Sequence, residues 1–415
     1  MGHLRWLGVL VILMGTTVVL GAIADEPASE PSEDGAASWD YNDFVVRNGI
    51  QNSLRKFEAG GPARVVFMGG SVTTRPWREP VMEYLRNRFP QTQFDFVMAG
   101  IGGTDATLGA FRLPTDVFGQ GPVDLFVLEF AVNGGGVRAM EGIVRQAKRI
   151  SPQVDTMILY FANTAHIADA KAQRIPAIVA DHEQVADHYM LASLHLYKDV
   201  ADRLDAGQAV WEDWFTDSVH PSQAGCDVYA DDLIHFFDTA WKRTDTQNET
   251  DTDVAVSTSN TENANIDTIT PLDSYCYERG HYVDPRATAA LDRAQWSEGW
   301  TAEKTCNYGG PIDVLEAVEP GAQIGFDFTG TAVGAYLIVG FDAGMIEVTV
   351  DDRPAQRVDL FDHYCTMFHR PGHRIFADAL QDGPHHLSIR VLPEANEKST
   401  GHAVRIVHWM VNGAK

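Results

Sequence analysis

The chain has 415 residues, 45% hydrophobic and 21% charged, the composition of a folded globular protein longer than one ordinary domain, so two domains are the default count. Its 57 acidic and 32 basic side chains give a formal charge of -25. That charge excludes recognition by phosphate neutralisation, since nucleic acid and anionic membrane surfaces repel such a protein.

Residues 1–24 have the layout of a secretory signal: Arg5, an apolar run from Trp6 to Leu20, and Ala22-Ile23-Ala24 before Asp25. The run is shorter than the roughly 20 residues a spanning helix needs. Cleavage and export to the periplasm, cell surface or medium are therefore expected, with no stable membrane insertion afterwards. Residues 25–39 are acidic and rich in Pro and Ser, with too little apolar content to offset the entropy of ordering, and read as a flexible leader.

Residues 40–243 alternate short apolar runs with helix-like stretches. The runs are ARVVFMGG at 63–70, FDFVMAG at 94–100, DLFVLEFAV at 124–132 and DTMILYFA at 155–162, with a weaker one from Met190 to Leu196. Such runs are typical of parallel strands covered on both faces. Trp77–Phe89, Met140–Ile150, Tyr197–Leu204 and Ser222–Trp241 read as helices, so a three-layer α/β domain with a parallel sheet is expected, binding ligands beyond the carboxyl ends of its strands. The polar tract 244–266 reads as a disordered linker. Residues 267–415 switch to strand-length segments (QIGFDFTG, VGAYLIVGF, MIEVTVDD, HHLSIRVL, VRIVHWMV) separated by Gly, Asp and Pro, the pattern of an all-β sandwich domain.

Four short elements carry chemistry. Ser71 follows Gly69-Gly70 where a strand turns towards a helix, a junction that exposes a hydroxyl beside backbone N–H groups. Alone, a glycine pair before a serine is ordinary turn chemistry. Gly100-Ile101-Gly102-Gly103-Thr104 lets a backbone N–H approach a ligand, and no P-loop lysine follows to make it a phosphate cradle. Asn133 ends the third run, where its amide can donate towards the same point. Asp217-Ser218-Val219-His220-Pro221 sets an aspartate three residues before a histidine, within reach of one local turn.

Taken in order, GGSVT at 69–73, GIGGT at 100–104, FAVN at 130–133 and DSVHP at 217–221 resemble the four blocks of the SGNH/GDSL hydrolase superfamily. The resemblance spans residues 45 to 241 and implies a flavodoxin-like sheet with a catalytic triad of Ser71, Asp217 and His220. It also implies an oxyanion hole of the Ser71 N–H, the Gly103 N–H and the Asn133 side chain, with Gly102 as the alternative glycine. Three positions depart from the pattern. Gly70 stands where Asp is usual, as in a branch of exported bacterial members. Gly134 replaces the Asp that usually follows Asn133, so a looser Asn133 loop is expected. Met98 stands where relatives often have Asn, with loss of a supporting hydrogen bond expected.

The expected function is a secreted esterase that hydrolyses carboxylic esters through an acyl-enzyme without metal or organic cofactor, O-acetylated carbohydrates being the substrate class suggested by analogy. An O-acyltransferase acting on glycans, and a catalytically weak carbohydrate-binding or cell-surface protein, are the alternatives. A small-molecule or glycan ester is the expected partner, with no nucleic acid, and carbohydrate contact through the C-terminal domain. That domain resembles the sandwich modules attached to exported esterases, without a diagnostic motif.

Other residues read as structural. Arg75, Arg78 and Arg112 are expected to pair at the surface with residues such as Glu79 and Asp116, and His182 and Glu183 to have structural roles on a helix. His363, Cys365, His369 and His373 have spacings that zinc sites use, but the surrounding residues read as a loop and strand edge. Trp296, Trp300 and Trp409 are candidates for stacking on sugars, though aromatic residues of a sandwich are usually core. Among Cys226, Cys276, Cys306 and Cys365 the pairing is open, with Cys226 read as a buried free thiol.

Overall fold

A computed structural model describes residues 43–247, 265–286, 301–307 and 310–413. The expected signal and leader, most of the linker tract, Trp296 and Trp300 lie outside the described residues.

The first region runs β1 (Phe44–Val45), α1 (Gln51–Glu58), β2 (Gly61–Gly69), α2 (Arg78–Arg88), β3 (Thr92–Gly100), α3 (Ala106–Asp116), β4 (Leu125–Glu129), α4 (Val137–Ile150) and β5 (Asp155–Leu159). It continues through α5 (Thr164–Lys171), α6 (Ala177–His188), β6 (Ala192–Leu194), α7 (Leu196–Asp205), α8 (Trp211–Trp214) and α9 (Gln223–Gln247). The strand order is β1-β6-β5-β4-β2-β3, parallel from β6 to β3. The α/β expectation therefore holds, with one correction: β1 runs antiparallel to β6 and forms one edge. Two residues are too short to leave a periodic signal.

Burial explains why the apolar runs are strands. Every residue of β4 and β5 is buried, the state of central parallel strands with helices on both faces. The other edge strand, β3, is only partly covered. All four chemical blocks fall at the carboxyl ends of strands or immediately before a helix, on one rim of the sheet.

The second region is an antiparallel β domain. Its strands are β7 (Gly280–Val283), β8 (Thr301–Asn307), β9 (Gly310–Ala317), β10 (Gln323–Val339), β11 (Met345–Val350), β12 (Gln356–Asp359), β13 (Arg370–Ala377), β14 (Gly383–Val391) and β15 (Val404–Gly413). The segments QIGFDFTG and VGAYLIVGF are not separate strands but one, β10. Its first half pairs with β14 and its second with β13, and it pairs with β15 across register shifts at Gly330/Ala332 and Tyr336/Leu337. Trp409 is fully buried, stacked on Phe326 with ring centroids 5.0 Å apart, so it is core.

The β domain packs directly on the α/β domain. Val314, Ala332, Tyr336, Ile338, Val407 and Met410 belong to the same continuous hydrophobic core as the parallel sheet. Residues 265–279 brace α4: Arg145 pairs with Glu278 at 2.7 Å, and Gln146 donates to the Ala110 and Tyr277 carbonyls. Cys226, Cys276 and Cys365 are buried and form no disulfide among the described residues.

Candidate active site

Ser71 opens a 3-10 turn, Val72–Thr74, at the end of β2. The carbonyls of this turn are all engaged. Thr74 donates to Ser71 O from N at 3.1 Å and from Oγ1 at 2.7 Å, Trp77 Nε1 donates to Val72 O at 2.9 Å, and Arg78 Nε donates to Thr73 O at 2.8 Å. Arg112 is wholly buried, and its guanidinium bonds Ala99 O at 2.6 Å and Gly69 O at 3.4 Å. Arg78 and Arg112 are thus braces of the serine turn, a correction to the surface role expected for them. The Arg112–Asp116 pair does form, at 3.3 Å.

The Asp217–His220 loop is built by its own aspartate. Asp217 Oδ1 accepts from the N–H groups of Val219 and His220 at 2.9 and 2.8 Å, and Oδ2 accepts from His220 Nδ1 at 2.7 Å. The His220 carbonyl takes the Thr216 N–H at 2.9 Å, and Thr164 N donates to Ser218 O at 3.1 Å. Burial would raise the Asp217 pKa, but the hydrogen bonds from His220 and Val219 outweigh it and hold the carboxyl below its usual range. A carboxylate that only accepts selects the Nδ1–H tautomer of the neutral imidazole, in which Nε2 is the proton acceptor, and Nε2 lies 2.8 Å from Ser71 Oγ.

Gly103 and Asn133 line the same pocket as Ser71 and His220. Ile101 N donates to Gly69 O at 3.0 Å, tying the second block to the first. Met98 places its sulfur 3.2 Å from the Gly100 N–H, so a weak acceptor supports this loop despite the absent asparagine. The looseness expected around Asn133 is met by local bonds: the N–H groups of Asn133 and Gly134 both donate to Phe130 O, at 2.9 and 2.8 Å.

Three features of the site escaped the sequence reading. Glu129, fully buried at the end of β4, accepts from Thr73 Oγ1 at 3.3 Å, Val132 N at 3.4 Å and the Gly70 N–H. Burial is the main cause that pushes its carboxyl up to about 7, and these donors pull it back only in part. An acid inside the otherwise apolar run LFVLEFA was the available signal. The second is the Asn163-Thr164-Ala165 wall at the start of α5, where Asn163 caps the helix by accepting from His166 N at 2.8 Å.

The third is a wall from the β domain. Tyr364, Phe368 and Arg370 line the pocket, whose volume is about 720 Å³. Arg370 sits 5.2 Å over the Tyr364 ring and pairs with Asp362. Tyr364 and Phe368 are exposed. This is the segment with zinc-like spacing, and its side chains diverge: His369 Nε2 is 3.1 Å from Asp342, His373 is 3.6 Å from Asp105, and Cys365 Sγ accepts from Asp362 N. No group of three metal-ligating side chains forms among the described residues.

No protein-family model and no curated protein sequence matches the chain. Among solved structures it is similar to a two-domain esterase (CEX) active on acetylated mannans, with a TM-score of 0.70 and 20% identity over 91% of this chain and 99% of that one. The same esterase co-crystallised with mannopentaose matches with a TM-score of 0.67 and 21% identity over 90% and 99% of the two chains. At these identities the likeness establishes the two-domain fold: a parallel α/β domain followed by an antiparallel β domain.

Proposed function

We propose that the protein is an exported serine esterase of the SGNH/GDSL type that removes acyl groups, acetyl foremost, from carbohydrates. The observation that carries this reading is the chain Ser71 Oγ, His220 Nε2, His220 Nδ1, Asp217 Oδ2, with links of 2.8 and 2.7 Å, opening into a pocket of about 720 Å³.

Ser71 Oγ attacks the ester carbonyl as its proton passes to His220 Nε2, and the carbonyl oxygen becomes an oxyanion. Asp217 holds the imidazole in the tautomer this step requires and stabilises the imidazolium that follows. The Ser71 and Gly103 N–H groups and the Asn133 amide are the donors for the oxyanion. His220 then gives its proton to the departing sugar hydroxyl, leaving acyl-Ser71. Water, deprotonated by His220, releases the carboxylic acid and restores the serine.

An acetylated glycan is supported by two considerations: the mannan-active esterase that shares the fold, and the aromatic residues Tyr364 and Phe368 in the lining of the pocket that holds Ser71. Aromatic faces suit the apolar faces of pyranose rings. Export is supported by the layout of residues 1–24 alone. The test is acetate release from acetylated mannan and xylan oligosaccharides by the purified protein. Release that is lost in both Ser71→Ala and His220→Ala is the expected result, whereas release that survives Ser71→Ala rejects the assignment.

A further inference from the structure

The Asn133 loop lacks the carboxylate that relatives of the resembled family carry after the asparagine, yet its backbone is tightly held. Gly134 O accepts from Ala106 N at 3.1 Å, tying the loop to the start of α3. Gly135 has φ +82°, and a Cβ there would stand 2.7 Å from Ala106 Cβ and 2.9 Å from Ala106 N, so only glycine fits. With the turn packed against the start of α3, the Gly135 carbonyl is directed towards α6. There it meets His182 Nε2 at 2.7 Å.

His182 is completely buried. Its Nδ1 has no hydrogen-bond partner among the described residues, so the ring's one proton belongs on Nε2, where it donates to Gly135 O. Burial, the dominant influence, keeps the imidazole neutral down to about pH 4, although the Gly135 bond and the nearby Glu183 and Asp105 charges favour the cation. The helix bearing His182 is itself anchored: adjacent Glu183 accepts from Tyr160 OH at 2.6 Å and from Arg47 Nη2 at 2.6 Å. A fixed donor on a fixed helix therefore meets the turn two residues beyond Asn133.

We infer that His182 is a positioning residue for the reaction: through its hydrogen bond to the Gly135 carbonyl it holds the Asn133 amide in register with Ser71, in place of the missing carboxylate. This rests on Asn133 serving the oxyanion. It also makes a buried, neutral histidine on a distant helix part of the catalytic support, and assigns the ring's unsatisfied Nδ1 as the consequence of committing Nε2 to the loop.

Two readouts on the full chain test it, with thermal melting to select folded variants. The first is hydrogen exchange of peptides spanning residues 130–137 and 105–108. His182→Leu speeds exchange there relative to peptides from β5, and His182→Gln, whose amide can still donate, restores much of the protection. The second is p-nitrophenyl acetate hydrolysis. His182→Leu lowers kcat by roughly tenfold to a hundredfold with KM within about twofold, the signature of a misplaced transition-state donor. The double variant His182→Leu/Asn133→Ala is no slower than Asn133→Ala, because both act through one amide.

Unchanged exchange in the loop, or additive losses in the double variant, overturns the inference. A wild-type protein inert towards every ester is a different failure. It removes the esterase reading, and the exchange experiment then decides alone whether His182 holds the loop.

Discussion

Gly70 and Asn133 occupy each other's space: a Cβ built on Gly70 would lie 2.1 Å from Asn133 Oδ1 and 3.0 Å from its Cγ. The glycine that departs from the usual first block is therefore matched to the asparagine of the third block. Gly70→Ala is expected to push the Asn133 amide away from the oxyanion position. Steady-state kinetics on p-nitrophenyl acetate should show kcat reduced about a hundredfold with little change in KM, comparable to deletion of one oxyanion donor. A kcat within twofold of wild type would show that the amide moves without consequence.

Glu129 predicts a pH dependence of stability. Its carboxyl titrates near 4.5 when unperturbed and at about 7 when buried in the fold. Between those values the folded chain holds a proton that the unfolded chain has lost, so this group's contribution falls as pH rises through the window. The change is on the order of 3 kcal/mol. Asp155, pushed up to about 6 by burial, acts in the same direction, while His182 and His195, held neutral to about 4 and 3, act oppositely. Comparing Glu129→Gln with wild type isolates the contribution of Glu129. In urea melts the stability difference should shift in favour of the glutamine variant between pH 5 and 8, and a pH-independent difference would contradict the assignment.

The aromatic wall predicts discrimination between substrates. Tyr364→Ala and Phe368→Ala remove apolar surface from the lining of the pocket that holds Ser71. Each should lower kcat/KM on acetylated manno-oligosaccharides by roughly twofold to tenfold, the range expected for one lost stacking contact. The effect on p-nitrophenyl acetate should be smaller. Equal losses on both esters would assign these residues to loop stability instead of sugar contact.

Asp217 offers a separate test of the tautomer. Asp217→Asn keeps an acceptor but can also present N–H groups to His220 Nδ1, allowing the proton to sit on Nε2, where it blocks the transfer from Ser71. A loss of several thousandfold in kcat is expected, as for loss of this role in a serine triad. Retention of more than a tenth of wild-type kcat would mean that His220 does not need Asp217 to fix its proton.

Much of the fold was legible because burial leaves a one-dimensional trace. Continuous apolar runs such as LFVL at 125–128 cannot be half-exposed strands, and they fell as central parallel strands. The Asp217–His220 loop was legible because its bonds span three residues. What stayed hidden depends on contacts between distant segments. The Gly135–His182 bond spans 47 residues, and the Tyr364 wall reaches the serine only through docking of the β domain. The continuity of β10 was hidden for another reason: QIGFDFTG and VGAYLIVGF read as two segments parted after Gly330, while the strand passes through between two sets of partners.

The central claim is that Ser71, activated by His220, is the nucleophile. The most direct measurement is labelling of the purified chain with a fluorophosphonate probe, followed by mapping of the modified peptide. One equivalent of label on Ser71, lost in Ser71→Ala and strongly reduced in His220→Ala, is the predicted result. A well-folded wild-type protein that takes up no label, or takes it up on another residue, would contradict the account.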